Sequence, residues 1–339
     1  MLSRVANSIF WMSRYLERAE NVARFIDVNL NMTLGLDGGP MHQWEPLVYT
    51  TGDYALFKER HGEASQQNVI RFLAFDPEYP NSIVSCLRAA RENARTVREI
   101  IASEMWEEVN KFYLMVRGAG PGWWSLRTMQ EFFHQVKLSG HLLAGITDAT
   151  MSHGEAWHFG RMGRLLERAD KTTRILDVKY YILLPSPDAI GTPFDSLQWA
   201  ALLKSASALE MYRKVHGRIT AQAVADFLIL DRDFPRAVHF CLIRAEESLH
   251  LITGTRHGAF ANSAEKHLGR LRAELDFTQM QDILDAGLHE YLDQLQHRLN
   301  EIGDAVFDTF FEVRREPATA SQTAAPAAKP AAMQVQTSA

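Results

Sequence analysis

The sequence predicts an all-α protein, an internally duplicated helical bundle with two pseudo-symmetric halves. Three observations predict this class. Apolar residues recur three and four positions apart over long stretches, two blocks of sequence occur twice in the same order, and no useful length of chain alternates apolar and polar residues as a half-buried strand would. The repeated blocks therefore set the predicted architecture.

The first predicted element is a helix about thirty residues long, because one apolar seam continues through the N-terminal block at helical spacing. The seam consists of Leu2, Val5, Ile9, Met12, Leu16, Ala19, Ala23, Ile26 and Leu30. The run GLDGGP from Gly35 predicts where this helix stops, since Gly and Pro end helices.

The central part of this helix occurs a second time. The stretch WMSRYLERAENVARFID from Trp11 returns as RMGRLLERADKTTRILD from Arg161, and nine of eighteen positions are identical between residues 11–28 and 161–178. A second long helix is therefore predicted, and the run LLPSPDAIGTP from Leu183 predicts its end.

Another block repeats with a different spacing. FLAFDPEYPNSIVSCLRAARE from Phe72 aligns with FLILDRDFPRAVHFCLIRAEE from Phe227. In each copy a Pro follows an Asp by four residues, where we predict the first turn of a new helix. We predict that Cys86 and Cys241, which occupy matched positions, are small buried residues.

The remaining chain divides around these blocks. One helix is predicted from Cys86 to GAGPGWW at Gly118, and another over residues 123–150. The predicted halves are 1–148 and 149–315, packed together through their long repeated helices. Residues 316–339, rich in Ala and Pro, are predicted to be a disordered tail.

Composition excludes several classes of function. With 36 basic and 41 acidic side chains the formal charge is −5, and no basic tract stands out, so we expect neither nucleic acid nor a membrane as a partner. No signal peptide or membrane span is expected. Two distant cysteines support no disulfide framework, and we predict a cytoplasmic protein.

The charged side of the repeated helix is the candidate site. With the apolar seam at heptad positions a and d, Arg14, Glu17 and Arg18 fall on the far side of the helix. Two tentative catalytic residues are Glu17 and Glu167. The ligand-binding or partner-binding candidates are Arg14, Arg18, Glu20, Arg24, Arg164, Arg168, Asp170 and Arg174.

Three interpretations of this charged side stay open. Pairs such as Arg14 with Glu17 and Glu20 with Arg24 have the spacing of a solvated salt-bridge ladder. However, the two copies share these residues, and a surface that only confers solubility needs no such match. Arginine forks hold carboxylates or phosphates at two points, so the surface is alternatively a buried ion network, or a site for a partner or an anionic ligand.

The sequence resembles the bacterial alpha-E family, named for its helices and its Glu-Arg motif. The resemblance rests on MLSRVANSIFWMSRYLERAENVARFIDV, ARENARTVREIIASEMWEEVN and GRMGRLLERADKTTRILDVKYYILLP, and it covers nearly all of residues 1–315. The family's Glu-Arg pair maps onto Glu17 and Arg18, and again onto Glu167 and Arg168.

The resemblance implies which proteins this chain works with, but it does not imply a reaction that the chain itself catalyses. Members of the family occur beside or fused to circularly permuted ATP-grasp ligases and transglutaminase-like peptidases, in systems thought to form amide bonds. The resemblance thus implies an accessory, partner-binding component of an ATP-dependent peptide-ligase (amidoligase) system.

Two other functions are kept as alternatives. Glu17 and Glu167 would serve as general bases in an enzyme that acts on an anionic substrate held by the flanking arginines. A di-metal helical bundle is suggested by three Glu-x-x-His pairs, Glu131 with His134, Glu155 with His158 and Glu247 with His250. These pairs do not recur between the halves, so we predict no metal and no cofactor.

Overall fold

The computed structural model describes residues 1–33, 44–49, 51–119, 125–182 and 193–312. In these ranges all regular elements are helical, which confirms the predicted all-α class. The α-helices are α1 (Ser3–Thr33), α2 (Glu45–Tyr49), α3 (Tyr54–His61), α4 (Gln66–Ile70), α5 (Ile83–Thr96), α6 (Ser103–Ala119), α7 (Leu126–Thr150), α8 (Glu155–Ile182), α9 (Pro193–Ser205), α10 (Leu209–Val215), α11 (Ala221–Ile229), α12 (Val238–Thr253), α13 (Ser263–Phe277), α14 (Met280–Ala286) and α15 (Leu288–Val306). Two π-helical segments, π1 (Arg71–Phe75) and π2 (Phe307–Phe311), continue α4 and α15.

Four predicted features lie outside the described residues. They are the helix-ending runs from Gly35 and Leu183, the PGWW segment at Pro121, and the tail 316–339. The helices themselves end where the first two runs predict, α1 at Thr33 and α8 at Ile182.

The two long helices form the centre of the fold. Helix α1 has 31 residues and α8 has 28, and they pack against each other. Helix α1 also contacts α5 and α7, while α8 contacts α12 and α15. The repeat of residues 11–28 and 161–178 therefore forms the inner pair, and α5, α7, α12 and α15 flank it.

The predicted apolar seam of α1 is buried from Ile9 onward. Ile9 is 1% exposed and Leu30 is 0% exposed, and the seam residues between them are also buried. Leu2 departs from the prediction, because it lies before the first residue of the helix and is 67% exposed. The hydrophobic core is one continuous cluster to which both long helices contribute.

Glycines on α8 allow the two central helices to approach closely. A Cβ atom placed on Gly163 would lie 2.5 Å from the carbonyl oxygen of Phe10 on α1, far inside van der Waals contact. A Cβ on Gly160 would lie 3.0 Å from Oγ of Ser13. Because the backbones are this close, short polar contacts between the middles of the two helices are within reach.

The prediction of one long helix from Cys86 to residue 118 is wrong, because the chain forms two helices there. Helix α5 ends at Thr96 and α6 starts at Ser103, and the chain reverses between them. The corner contains neither Gly nor Pro. It forms because Val97 (1% exposed) and Ile101 (6% exposed) turn inward to join the core, and this burial outweighs continuation of the helix.

The repeated Asp-x-x-x-Pro blocks precede helices, as predicted, but the prolines lie outside the first helical turn. Pro80 comes two residues before Ser82, the N-cap of α5, and Pro235 comes two residues before Ala237, the N-cap of α12. The helix start is instead marked by the Ser82 hydroxyl, which caps α5 by accepting from the Ser85 N–H at 3.2 Å.

Both cysteines are buried free thiols, as predicted. Each donates to the carbonyl of the preceding proline, Cys86 to Pro80 at 3.7 Å and Cys241 to Pro235 at 3.6 Å. Burial raises the pKa of both thiols to about 12. The thiols are therefore protonated and unreactive at neutral pH.

Within the described ranges, no helix combines the length and the apolar character that crossing a membrane requires. The long helix α1 carries charged side chains through its middle, at Arg14, Glu17 and Arg18.

The close approach of α1 and α8 makes Gly163 sensitive to substitution. We expect Gly163→Ala to lower the free energy of unfolding by about 1–3 kcal/mol, because the added methyl group pushes against backbone that cannot rotate away. Gly145 of α7 is the control, since a Cβ there meets nothing within 4 Å. Gly145→Ala should raise stability by about 0.5–1 kcal/mol through helix propensity. Urea denaturation followed by circular dichroism measures both, and equal effects would contradict the close crossing.

Candidate functional site

The two glutamates of the Glu-Arg pairs are both buried in the interior. Glu17 is 3% exposed and Glu167 is 0% exposed. The charged side of α1, placed by its sequence opposite the apolar seam, is covered by α8 and by the turn before α12. The solvated-ladder interpretation is therefore wrong for these residues, and a buried ion network is present.

Each glutamate is held by the arginine of the other helix. Arg18 donates from Nε to Oε1 of Glu167 at 2.6 Å and from Nη2 to Oε2 at 2.9 Å. In the reciprocal pair, Arg168 donates from Nε to Oε1 of Glu17 at 2.9 Å and from Nη2 to Oε2 at 2.8 Å. Two-point contacts of this kind are the strongest ion pairs that arginine forms. The Glu-Arg exchange, as we call these two pairs, joins the middle of α1 to the middle of α8.

Additional cations complete the surroundings of each carboxylate, and they differ between the two. Glu167 accepts from Nε of Arg14 at 2.9 Å and lies 3.6 Å from Nζ of Lys171. Glu17 accepts instead from Nη1 of Arg236 at 3.0 Å and from the side-chain amide of Asn21 at 2.9 Å. Arg14 does not pair with Glu17, its neighbour on α1, because α8 presents Glu167 closer to it.

The flanking acidic residues form the same kind of pair on both helices. Nη2 of Arg24 donates to Oε1 of Glu20 at 2.6 Å, and Nε of Arg174 donates to Asp170 at 3.0 Å, both four residues apart. The predicted pair of Glu20 with Arg24 is thereby confirmed. Arg24 additionally contacts Nε2 of His141 on α7 at 2.7 Å, which ties a third helix to the network.

Electrostatics keep both glutamates ionised. Burial alone raises the pKa of Glu17, but Arg168 and Arg236 outweigh it and hold that pKa well below its ordinary value. For Glu167, burial is likewise outweighed by Arg18, Lys171 and Arg14, and the pKa is again far below normal. A carboxylate with so low a pKa is a weak base at neutral pH, which favours a structural role for both residues over general-base catalysis.

Four residues of the network that lie in the repeated blocks were not among the candidates identified from the sequence. They are Arg236, Lys171, Asn21 and Asn81, and all occupy positions where the two copies differ. Lys171 aligns with Asn21, and Arg236 aligns with Asn81, which accepts from Nη1 of Arg18 at 2.5 Å. The surroundings of each glutamate thus contain one cation and one asparagine. Where one copy of the sequence has the cation, the other has the asparagine. These differences between the two copies are the feature of the sequence from which the additional network residues could have been predicted.

Arg164 differs from every other predicted arginine. Within the described part of the chain its Nε is buried without a hydrogen-bond partner, and no ion pair joins it to a carboxylate. It borders a cleft of about 70 Å³ between α1, α7 and α8. The cleft is also lined by Leu16, Glu17, Glu20, Met105, His141, Leu143, Trp157, Arg161 and Arg168.

The Glu-x-x-His pairs have other partners. Glu247 pairs with Arg244 at 2.6 Å, and Glu155 accepts from the terminal amine of Met1 at 2.8 Å. Among the described residues, the group that could hold a metal ion is Glu246 with His250 and His257, whose ligand atoms lie within 4.8 Å of one another. Glu246 accepts from Nε of Arg272 at 2.7 Å, so a cation already balances its charge.

These features define a class of protein: an all-helical bundle in which two crossed central helices exchange Glu-Arg ion pairs. The chain belongs to the Alpha-E family, described as a predicted α-helical domain with a conserved ER motif, and the family model matches residues 1–311. Glu17-Arg18 and Glu167-Arg168 are the Glu-Arg pairs that take part in the exchange.

The chain is also similar to longer mycobacterial proteins. An uncharacterized protein of Mycobacterium bovis and uncharacterized proteins of two Mycobacterium tuberculosis strains are each 22% identical to it over 329 residues. The alignments include 90% of this chain but only 36% of each relative, so the chain spans little more than a third of their length. No solved structure matches the chain.

The low pKa values of the two glutamates predict acid sensitivity. In the unfolded chain a glutamate has a pKa near 4.3, so below about pH 5 the unfolded state binds protons that the native state excludes. The contribution of Glu167 to the free energy of unfolding should thus be complete above about pH 5 and be lost as pH falls further, by about 1.4 kcal/mol per pH unit.

Urea unfolding in steps between pH 7 and pH 3 measures this loss. We expect Glu167→Gln to flatten the acid limb of the stability curve. Glu92→Gln is the control, because it removes one carboxylate of an ion pair at which the glutamate side chain is 46% exposed. If both variants keep the wild-type slope of unfolding free energy against pH, protonation of Glu167 does not cause the loss of stability in acid.

Proposed function

We propose that this protein is an internally duplicated accessory protein of an ATP-grasp-linked amide-bond-forming system, and that it binds a partner protein rather than performing the ligation. One observation carries the proposal. The carboxylates of Glu17 and Glu167 are both bound by arginines of the Glu-Arg exchange, so they are not available to a substrate. The most distinctive residues of the chain thereby build a rigid scaffold.

The duplication is part of the proposal. It is supported by the matched sequence blocks, and by the reciprocity of Arg18 with Glu167 and Arg168 with Glu17. It is also supported by a second pair of equivalent contacts. Asp27 of α1 binds Lys137 of α7 at 2.5 Å, and Asp177 of α8 binds His289 of α15 at 2.5 Å.

The ligase partnership is supported by family membership, because members of the family occur beside or fused to ATP-grasp ligases. A circularly permuted ATP-grasp ligase is the proposed main partner, and a transglutaminase-like protein is the second. The length of the mycobacterial relatives is compatible with this, because 64% of each lies outside the aligned segment, where further domains can be carried.

The partnership predicts a dependence of the ligase on this chain. We expect the protein to co-purify with the ATP-grasp ligase encoded beside it, and the ligase to form product at least about fivefold faster with the chain than without it, as for a typical coupling between sites. Product is measured by mass spectrometry, with serum albumin in place of the chain as the control.

Two results would contradict the proposal. One is the absence of association together with an unchanged rate of product formation. The other is product formed from ATP and substrate by this chain alone, which would favour the alternative of an enzyme that uses Glu17 or Glu167.

A further inference from the structure

Nε of Arg164 lacks the hydrogen bond that its counterpart makes. That counterpart in the first copy, Arg14, donates from Nε to Oε2 of Glu167 at 2.9 Å. By the same relation Nε of Arg164 would donate to Glu17, yet this atom is buried without a partner. A buried donor without a hydrogen bond lowers stability, and a group that binds there would explain why it is kept.

Arg236 distinguishes the surroundings of Glu17 from those of Glu167. Its Nη1 lies 3.0 Å from Oε1 of Glu17 and its Nη2 lies 2.7 Å from Oε1 of Glu20. The carbonyl of Arg236 accepts from the Thr172 hydroxyl at 2.9 Å, which fixes this residue against α8. The matched residue in the first copy is Asn81, so the second copy has an arginine where the first has an amide.

The surroundings of Arg164 favour an anion. Arg161 and Arg168 lie three residues before and four residues after it on α8, and all three border the same cleft. The carboxylates that line the same cleft, Glu17 and Glu20, are already held by arginines. Burial lowers the pKa of Arg164, and repulsion from Arg168 lowers it further, while attraction to Glu17 acts in the opposite direction.

The rest of the cleft is apolar and aromatic. Leu16, Met105 and Leu143 line it, together with Trp157, whose ring lies 5.3 Å from the guanidinium carbon of Arg161. A cleft of about 70 Å³ has room for a carboxylate and the atoms next to it, with the remainder of a ligand lying toward its mouth. A cleft lined by arginines together with apolar and aromatic side chains suits an organic acid better than an inorganic ion.

We propose that this cleft binds a small organic carboxylate with an apolar substituent, of the kind found in an N-acylated amino acid, and that Arg164 is the residue that binds the carboxylate. The inference does not rest on the ligase partnership. Failure of the protein to co-purify with a ligase would leave it untouched, and failure of ligand binding would leave the partnership untouched.

Nuclear magnetic resonance of the arginine Nε–H groups tests the proposal on the full chain. The probe is N-acetyl-leucine, and N-acetyl-leucinamide is the neutral control. We expect the acid, and not the amide, to shift one Nε–H signal that is missing in Arg164→Gln. Isothermal titration calorimetry should show an affinity about tenfold or more weaker in that variant.

Two further variants separate binding from folding. Arg91→Gln removes an arginine outside the cleft that hydrogen-bonds Asn110 at 2.7 Å, and it should keep the wild-type affinity. In the absence of ligand, Arg164→Gln should melt at or near the wild-type Tm, because it removes a buried donor that makes no hydrogen bond, whereas Arg14→Gln should melt lower because it removes a donor to Glu167.

Three results would overturn the proposal. The first is equal binding of the acid and the amide. The second is an affinity that Arg164→Gln leaves unchanged. The third is tighter binding of inorganic phosphate than of N-acetyl-leucine, which would assign the cleft to a different class of ligand.

Discussion

The exchange of ion pairs between Glu17 and Arg168, and between Glu167 and Arg18, is the interaction on which the rest of the fold depends. A carboxylate at the centre of a helical bundle is costly unless it is paired and fully hydrogen-bonded. Here each glutamate meets the two-point fork of an arginine from the other helix. The exchange thereby fixes both the register and the separation of α1 and α8.

Other parts of the structure satisfy the requirements that the exchange imposes. The forks reach only if the helices are close, and Gly160 and Gly163 provide that proximity. The remaining lone pairs need donors, which Arg14 supplies to Glu167 and Arg236 supplies to Glu17. Near Glu17, Nε of Arg164 has no hydrogen-bond partner and lies at the edge of a cleft. The proposed ligand site lies at this difference between the surroundings of the two glutamates.

The sequence predicted the elements better than their contacts. The extents of α1 and α8 follow from the spacing of residues such as Ile9 and Leu30, because that spacing is a local property. The burial of Glu17 could not be derived in this way, since charges three and four apart fit an exposed ladder equally well. Arg236 was missed because its role depends on a turn brought from 219 residues away along the chain. The corner at Val97 was missed because tertiary burial, and not a helix-breaking residue, ends α5.

A double-mutant cycle on Arg18 and Glu167 tests the central claim most directly. Free energies of unfolding are measured for Arg18→Gln, Glu167→Gln and the double variant, with the exposed pair of Arg95 and Glu92 as the reference cycle. If the exchange joins α1 to α8, each single variant loses about 3–5 kcal/mol and the double variant loses much less than the sum, with a coupling of about 2 kcal/mol or more. The reference pair should couple by less than about 1 kcal/mol. Losses at Arg18 and Glu167 that add to within about 0.5 kcal/mol would contradict the account.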